Sequence, residues 1–293
     1  EVRIITNNTN TAYAKEGSII TLSFTAADQG GSAENLLADP TVTILGKSDD
    51  DITVSGSGAS WTATYIAATG DAEGTVPFTI EFSDYAGNEV KDDDAVSAIT
   101  DGNDVIFDET VPLLPTVSIT SSNTNAPSGT LATFGDDITL SITADNNIQK
   151  PTITIAGNAA TTTPNNAGES VYTATYEMDP TDANADVLAF TVDFLDLAGN
   201  EGTQVVALVN DANGGVSFDK QAPSFDIVKI ASNNLVSTGD DDDGTRATLE
   251  NIITVSLESN EDLQVGLDPT VTIAENTAVV TRITASTFSA TYE

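Results

Sequence analysis

The sequence predicts an all-β protein of tandem antiparallel β-sandwiches. Three observations carry that prediction: a long internal repeat, a two-residue apolar period inside each repeat, and no helical apolar stripe anywhere. The string Asp39-Pro40-Thr41-Val42-Thr43-Ile44 returns as Lys150-Pro151-Thr152-Ile153-Thr154-Ile155 and as Asp268-Pro269-Thr270-Val271-Thr272-Ile273. Pro40 to Pro151 is 111 residues and Pro151 to Pro269 is 118. Such a period is too long for a solenoid unit and fits a small sandwich domain.

The elements follow in chain order. Val2-Arg3-Ile4-Ile5 reads as an opening strand. Ile20, Leu22 and Phe24 then alternate with Thr21 and Ser23, as Ile138, Leu140, Ile142 and Ile253, Val255, Leu257 do later, so one face is apolar and the other hydroxyl. Trp61-Thr62-Ala63-Thr64-Tyr65 recurs as Tyr172-Thr173-Ala174-Thr175-Tyr176 and Phe288-Ser289-Ala290-Thr291-Tyr292, placing two rings and an alanine on one face of a core about 10 Å thick. Phe78, Ile80 and Phe82 match Phe190, Val192 and Phe194. Each of those strands runs into a turn, Asp84-Tyr85-Ala86-Gly87-Asn88-Glu89 or Asp196-Leu197-Ala198-Gly199-Asn200-Glu201. Phe107-Asp108 before Pro112 matches Phe218-Asp219 before Pro223. About seven short strands per repeat, separated by Gly, Asn, Asp and Pro clusters, give immunoglobulin-like sandwiches with Greek-key connections.

The proline-rich links place the domains at 1–113, 114–222 and 223–293. The third ends without counterparts of the Phe190 strand, the Asp196 turn and the Phe218 strand, so an incomplete last domain is expected, and the first residues suggest a start inside a longer chain. The links are short, which favours a semi-rigid rod over beads on a string.

Composition narrows the function classes. The 293 residues carry 45 Asp or Glu against 9 Lys or Arg, a formal charge of −36, with no His and no Cys. Divided at the domain boundaries the charge is −16, −11 and −9, so every repeat is acidic and the surplus is expected on outward faces and loops. Such a chain offers no footprint for nucleic acid and is repelled by anionic lipid. Disulfides, thiolate or histidine catalysis and the usual zinc ligands are excluded too. No apolar run reaches the length of a membrane span, and no signal segment opens the sequence. A carboxylate pair for glycoside hydrolysis remains conceivable, but the acidic strings recur with the scaffold, whereas a catalytic pair need occur once. No enzyme is expected.

Two readings stay open for the recurring turns. The aspartate caps the turn through its own backbone while Gly and Asn accept positive φ. Alternatively Glu81, Asp84 and Asn88, and likewise Asp193, Asp196 and Asn200, gather oxygens for calcium, which takes six to eight of them at about 2.3 to 2.6 Å. Asp108 and Asp219, just before the interdomain prolines, are further candidate ligands at the junctions. The runs at Asp49–Asp51, Asp92–Asp94 and 240–243 read as solvated loops that bind cations loosely. Asn7-Asn8-Thr9 is an N-glycosylation pattern, with Asn7 the acceptor.

These strings resemble the tandem immunoglobulin-like repeats of large prokaryotic surface proteins. The stretch from Phe190 to Gln204 is most similar to repeats in the surface-layer (S-layer) proteins of marine ammonia-oxidising archaea. The resemblance implies an extracellular cell-envelope protein that assembles laterally with itself into a porous coat, supported by calcium and enriching cations such as ammonium. The same strings occur in bacterial adhesins, where such repeats extend a stalk, and that is the alternative. The chain departs from the pattern in two places: the third repeat lacks the Asp-x-Ala-Gly-Asn string, and the first carries a charged insert, Lys91 to Asp94.

Overall fold

A computed structural model of the chain describes residues 1–124, 129–234 and 246–293. It forms two compact units, Glu1–Lys220 and Gln221–Glu293. Glu1–Lys220 holds two β-sandwiches with separate apolar cores, one drawn from Val2 to Phe107 and the other from Leu114 to Phe218.

In the first sandwich the alternating strands line up as an antiparallel sheet in the order Val2–Thr6, Ile19–Thr25, Ser60–Ile66, Thr53–Ser57. This is the A-B-E-D strand order of immunoglobulin-like sandwiches. Ile20, Leu22 and Phe24 pair across to Tyr65, Ala63 and Trp61, and all six are buried, so a small alanine sits opposite leucine between an Ile–Tyr pair and a Phe–Trp pair. The facing sheet pairs Thr41–Ile44 with Phe78–Ser83, and Phe78–Ser83 with Glu89–Val90. Ile106–Phe107 closes the sandwich by running parallel to Tyr13–Ala14 and antiparallel to Gly74–Thr75.

The second sandwich repeats this plan. Its large sheet runs Thr116–Ser121, Asp137–Ile148, Glu169–Glu177, Thr161–Thr163, and it faces Asn158–Ala159, Thr152–Ile155 and Phe190–Asp193. Leu131–Ala132 and Ser217–Phe218 pair in parallel, as Tyr13–Ala14 and Ile106–Phe107 do. Even the outward hydroxyls correspond: Thr43 and Thr79 share a 2.7 Å hydrogen bond, and so do Thr154 and Thr191.

Gln221–Glu293 carries the same large sheet, in the order Phe225–Ser232, Ile253–Ser259, Thr287–Tyr292, Val279–Arg282, with Thr272–Ile273 and Asn276–Thr277 forming a hairpin. Val228 and Ile230, opposite Leu257 and Val255, are 61% and 67% exposed. Their counterparts in the first sandwich, Val2 and Ile4, are buried. Among the described residues, no strand takes the place that Phe78–Ser83 and Phe190–Asp193 hold. The Arg282 guanidinium knits this unit's loops, pairing with Asp268 at 2.8 Å and lying 4.8 Å from the Phe288 ring centre.

The acidic runs at Asp49–Asp51 and Asp92–Asp94 form single 3₁₀ turns with no buried residue. The run at 240–243 lies outside the described residues. No helix among the described residues is long and apolar enough to cross a membrane.

The expectation that acidic side chains stay on outward faces is corrected at Asp71, Asp182 and Asp196, which are 6%, 8% and 4% exposed. Asp71 Oδ2 accepts from the Tyr65 hydroxyl and the Ala68 N–H, both at 2.8 Å, and Lys47 Nζ lies 3.2 Å from Oδ1. In the second sandwich the Tyr176 hydroxyl donates to Asp182 Oδ2 at 3.0 Å, the Asp179 N–H does so at 2.8 Å, and Asn158 Nδ2 reaches Oδ1 at 2.9 Å. Lys47 and Asn158 occupy the same repeat position, so an ammonium in one sandwich is replaced by an amide in the other. Each aspartate thus pins the tyrosine at the end of the aromatic strand to the following loop. Burial alone would push the Asp71 carboxyl up, yet the Ala68 N–H, the Tyr65 hydroxyl and Lys47 together hold it below the ordinary aspartate value. Burial and the neighbouring Asp71 push the Tyr65 hydroxyl up.

Replacing Asp71 by Ala leaves a buried hydroxyl and N–H without an acceptor and is expected to cost about 1–3 kcal/mol in urea unfolding, with Tyr65→Phe milder at about 1 kcal/mol. Because the Asp71 carboxyl is lowered in the fold, its contribution is present above the ordinary aspartate value and is lost as pH falls through the lower folded value. The Asp71→Ala protein should lack that part of the acid transition.

Candidate functional site at the junction of the first two sandwiches

The two recurring turns have the same internal construction. Asp84 Oδ1 accepts the Asn88 N–H at 2.8 Å and Oδ2 accepts Asn88 Nδ2 at 2.6 Å. Asp196 Oδ1 accepts the Gly199 and Asn200 N–H groups at 2.6 and 2.8 Å, and Oδ2 accepts Asn200 Nδ2 at 2.7 Å. Gly87 and Gly199 sit at φ 84° and 89°, in the left-handed region that glycine adopts without strain. Both carboxylates thus use both oxygens on their own turn. Hydrogen bonds from Asn88 hold the Asp84 carboxyl below its ordinary value.

The other candidate ligands are dispersed. Glu81 Oε1 accepts the Asp92 N–H at 3.1 Å, and Asp193 Oδ1 accepts Gln204 Nε2 at 2.7 Å. Asp219 Oδ1 accepts Asn184 Nδ2 at 3.0 Å. Among the described residues, no group of three or more Asp and Glu is arranged to hold a metal ion. Asn7 is exposed at the end of the first strand, its Oδ1 accepting the Ile19 N–H at 2.8 Å.

What sets the second turn apart is where it sits. Its outward carbonyls are met by side chains of the first sandwich: Asn10 Nδ2 donates to Leu197 O at 3.1 Å, Asn8 Nδ2 to Ala198 O at 2.8 Å, and Lys15 Nζ to Gly199 O at 2.5 Å. Asn200 Nδ2 returns a bond to Asp108 O at 2.9 Å. Ala198 is only 1% exposed as a result. Leu113 N–H donates across the link to Asp145 Oδ1 at 3.0 Å. The linker is fixed from the other side, since Glu73 Oε1 accepts the Glu109 N–H at 2.9 Å and the Thr110 hydroxyl at 2.7 Å, and Glu109 accepts the Gly70 N–H at 3.1 Å. These bonds, the Thr110 hydroxyl first, hold the Glu73 carboxyl low.

Beside this dock lies a cleft of about 650 Å³ whose lining includes Glu73, Asp108, Asp145 and Asp196 with Tyr13 and Leu197. Asp108 is half-buried there. Burial, reinforced by the charge of Asp196, pushes its carboxyl above the ordinary value. The sequence pointed to Asp108, Asp196 and Asn200; it did not point to Asn8, Asn10, Lys15 or Glu73. An equivalent linker follows the second sandwich with one reversal: Lys220 stands where Glu109 does, donating to Pro180 O at 2.8 Å and Asp182 O at 2.5 Å.

No protein family and no curated protein sequence matches the chain. Among solved structures it is similar to the I9–I11 tandem of titin, at 8% identity over 99% of this chain and 89% of that one, with a TM-score of 0.32. It is also similar to SGBP-B of the Bacteroides ovatus mixed-linkage glucan utilization locus, solved with a mixed-linkage heptasaccharide. That match has 16% identity over 78% of this chain and 48% of that one, with a TM-score of 0.20.

The raised Asp108 carboxyl sets the sign of a pH effect. Its ionised form is penalised in the fold, so the penalty is present at neutral pH and is relieved as pH falls through the raised value. Asp108→Asn is expected to melt at a higher temperature than wild type at pH 7, with the difference closing through the acid range just above the ordinary aspartate value.

Proposed function

We propose that the chain is a structural segment of an extracellular cell-envelope protein, a subunit of a self-assembling porous surface layer. The observation that carries the structural part is the dock between the first two sandwiches, where four side chains bond main-chain carbonyls across the junction. That dock favours holding fixed the spacing and angle of successive sandwiches over presenting a substrate cleft. The lateral assembly rests on the likeness of the 190–204 string to surface-layer repeats, and on a charge of −36 spread over all three repeats. No catalytic role enters the reading.

In this reading calcium is a counterion to the acidic loops and to the junction cleft, because Asp84 and Asp196 already use both oxygens on their turns. Ammonium enrichment belongs to narrow pores lined by several chains, since exposed charges are screened within about 8 Å at physiological ionic strength.

Electron cryotomography of cells that express the protein is expected to reveal an ordered coat labelled by an antibody to this chain. A protein found only on isolated filaments would instead support a stalk. Calcium is expected to raise the melting temperature and a chelator to reverse the rise. A transition temperature unchanged by both would remove calcium from the account.

A further inference from the structure

The second turn has a defined receptor, and the first turn is its copy without one. The 84–88 and 196–200 turns lie 112 residues apart and repeat the same hydrogen bonds: the Asp N–H to the Asn carbonyl at 3.0 and 3.1 Å, and the Gly N–H to the Asp carbonyl at 3.1 and 3.2 Å. Around this shared frame the surroundings differ. Ala198 is buried against the first sandwich, whereas Ala86, Gly87 and Asn88 are exposed and Tyr85 is 72% exposed. No described residue donates to the carbonyls of Tyr85, Ala86 or Gly87, the counterparts of those that accept from Asn10, Asn8 and Lys15.

We propose that the 84–88 turn is a plug for the pole of another sandwich of this repeat type, one presenting the Asn-x-Asn pair and lysine that Asn8, Asn10 and Lys15 present to the second turn. Tyr85, Ala86 and Gly87 offer three acceptors to those amides and the ammonium, and Asn88 Nδ2 returns a bond to a main-chain carbonyl, as Asn200 does. Of the groups at that pole, Lys15 suits the charge of the plug, while Asp108 opposes it as it opposes Asp196 in the observed dock. The plug is flanked by Asp84, Glu89 and Asp92, and Lys15 is one of only 9 basic residues in the chain. The first sandwich would thereby be held at both poles, by its own turn at one and by the second turn at the other. The inference rests on the observed dock and not on the surface-layer assignment, so either can fail without the other.

The test adds a second copy of residues 1–115 ahead of Glu1 of the full chain, so that the first sandwich follows a receptor pole in the position the second sandwich now occupies. Alanine-methyl NMR with a soluble paramagnetic probe reads Ala86 of the sandwich after the added copy, with Ala198 as the buried reference. The expected result is a severalfold fall in probe-induced relaxation at Ala86, towards the Ala198 level, that is undone by Asn8→Ala, Asn10→Ala and Lys15→Ala in the added copy only. An Ala86 methyl as accessible as in the original chain, while Ala198 stays shielded and the added copy shows its own melting transition, would overturn the proposal. So would shielding that survives the three substitutions.

Discussion

An aspartate that closes a tight turn with both carboxylate oxygens leaves the turn's carbonyls facing outward. The junction between the first two sandwiches is built on that consequence. Asp196 takes up the Gly199 and Asn200 donors, and the carbonyls of Leu197, Ala198 and Gly199 become a short row of acceptors with fixed spacing. Asn8, Asn10 and Lys15 read that row from the neighbouring domain. A neutral bond of this kind contributes about 0.5–1.5 kcal/mol net, and one to an ammonium more, so four together with the Leu113–Asp145 bond can fix an orientation that a proline-rich link alone would leave loose. Each sandwich has its own apolar core, so the dock orients domains that fold by their own burial.

The same junction gathers acidic groups. Asp108 is held half-buried beside Asp196, against its electrostatic preference, while Glu73 accepts the linker's Glu109 N–H and Glu109 accepts the Gly70 N–H of the first sandwich. In a chain with a formal charge of −36, carboxylates are the abundant hydrogen-bond acceptor, and the fold uses them as caps and latches. That use competes with metal ligation at the turns, because an oxygen that holds its own backbone is less free to hold an ion.

Much of the fold was legible in the sequence because its cause is local. Alternation of Ile20, Leu22 and Phe24 against Thr21 and Ser23 dictates a strand with one buried face whatever it packs against, and the three-fold recurrence of Trp61-x-Ala63-x-Tyr65 fixes the repeat. The closure of the turns by Asp84 and Asp196 was legible as one of two open readings, because Asp, Gly and Asn at these spacings suit a self-capped turn whatever surrounds it. The dock was not, because Asn8 and Ala198 lie 190 residues apart and nothing in either segment names the other. Asp71 and Asp182 depart from the general expectation that the acidic surplus lies outward. Each stands six residues after the last tyrosine of the aromatic strand, a recurrence the repeat already contained, but only the packed sandwich places carboxylate and hydroxyl together.

The central claim is that residues 1–220 move as one body because the 196–200 turn is gripped by the first sandwich. Residual dipolar couplings on the whole chain, fitted separately to the first and second sandwiches, test it most directly. The account predicts one common alignment tensor for the two, splitting into two when Asn8, Asn10 and Lys15 are all replaced by Ala. Two different tensors in the unsubstituted chain would contradict it.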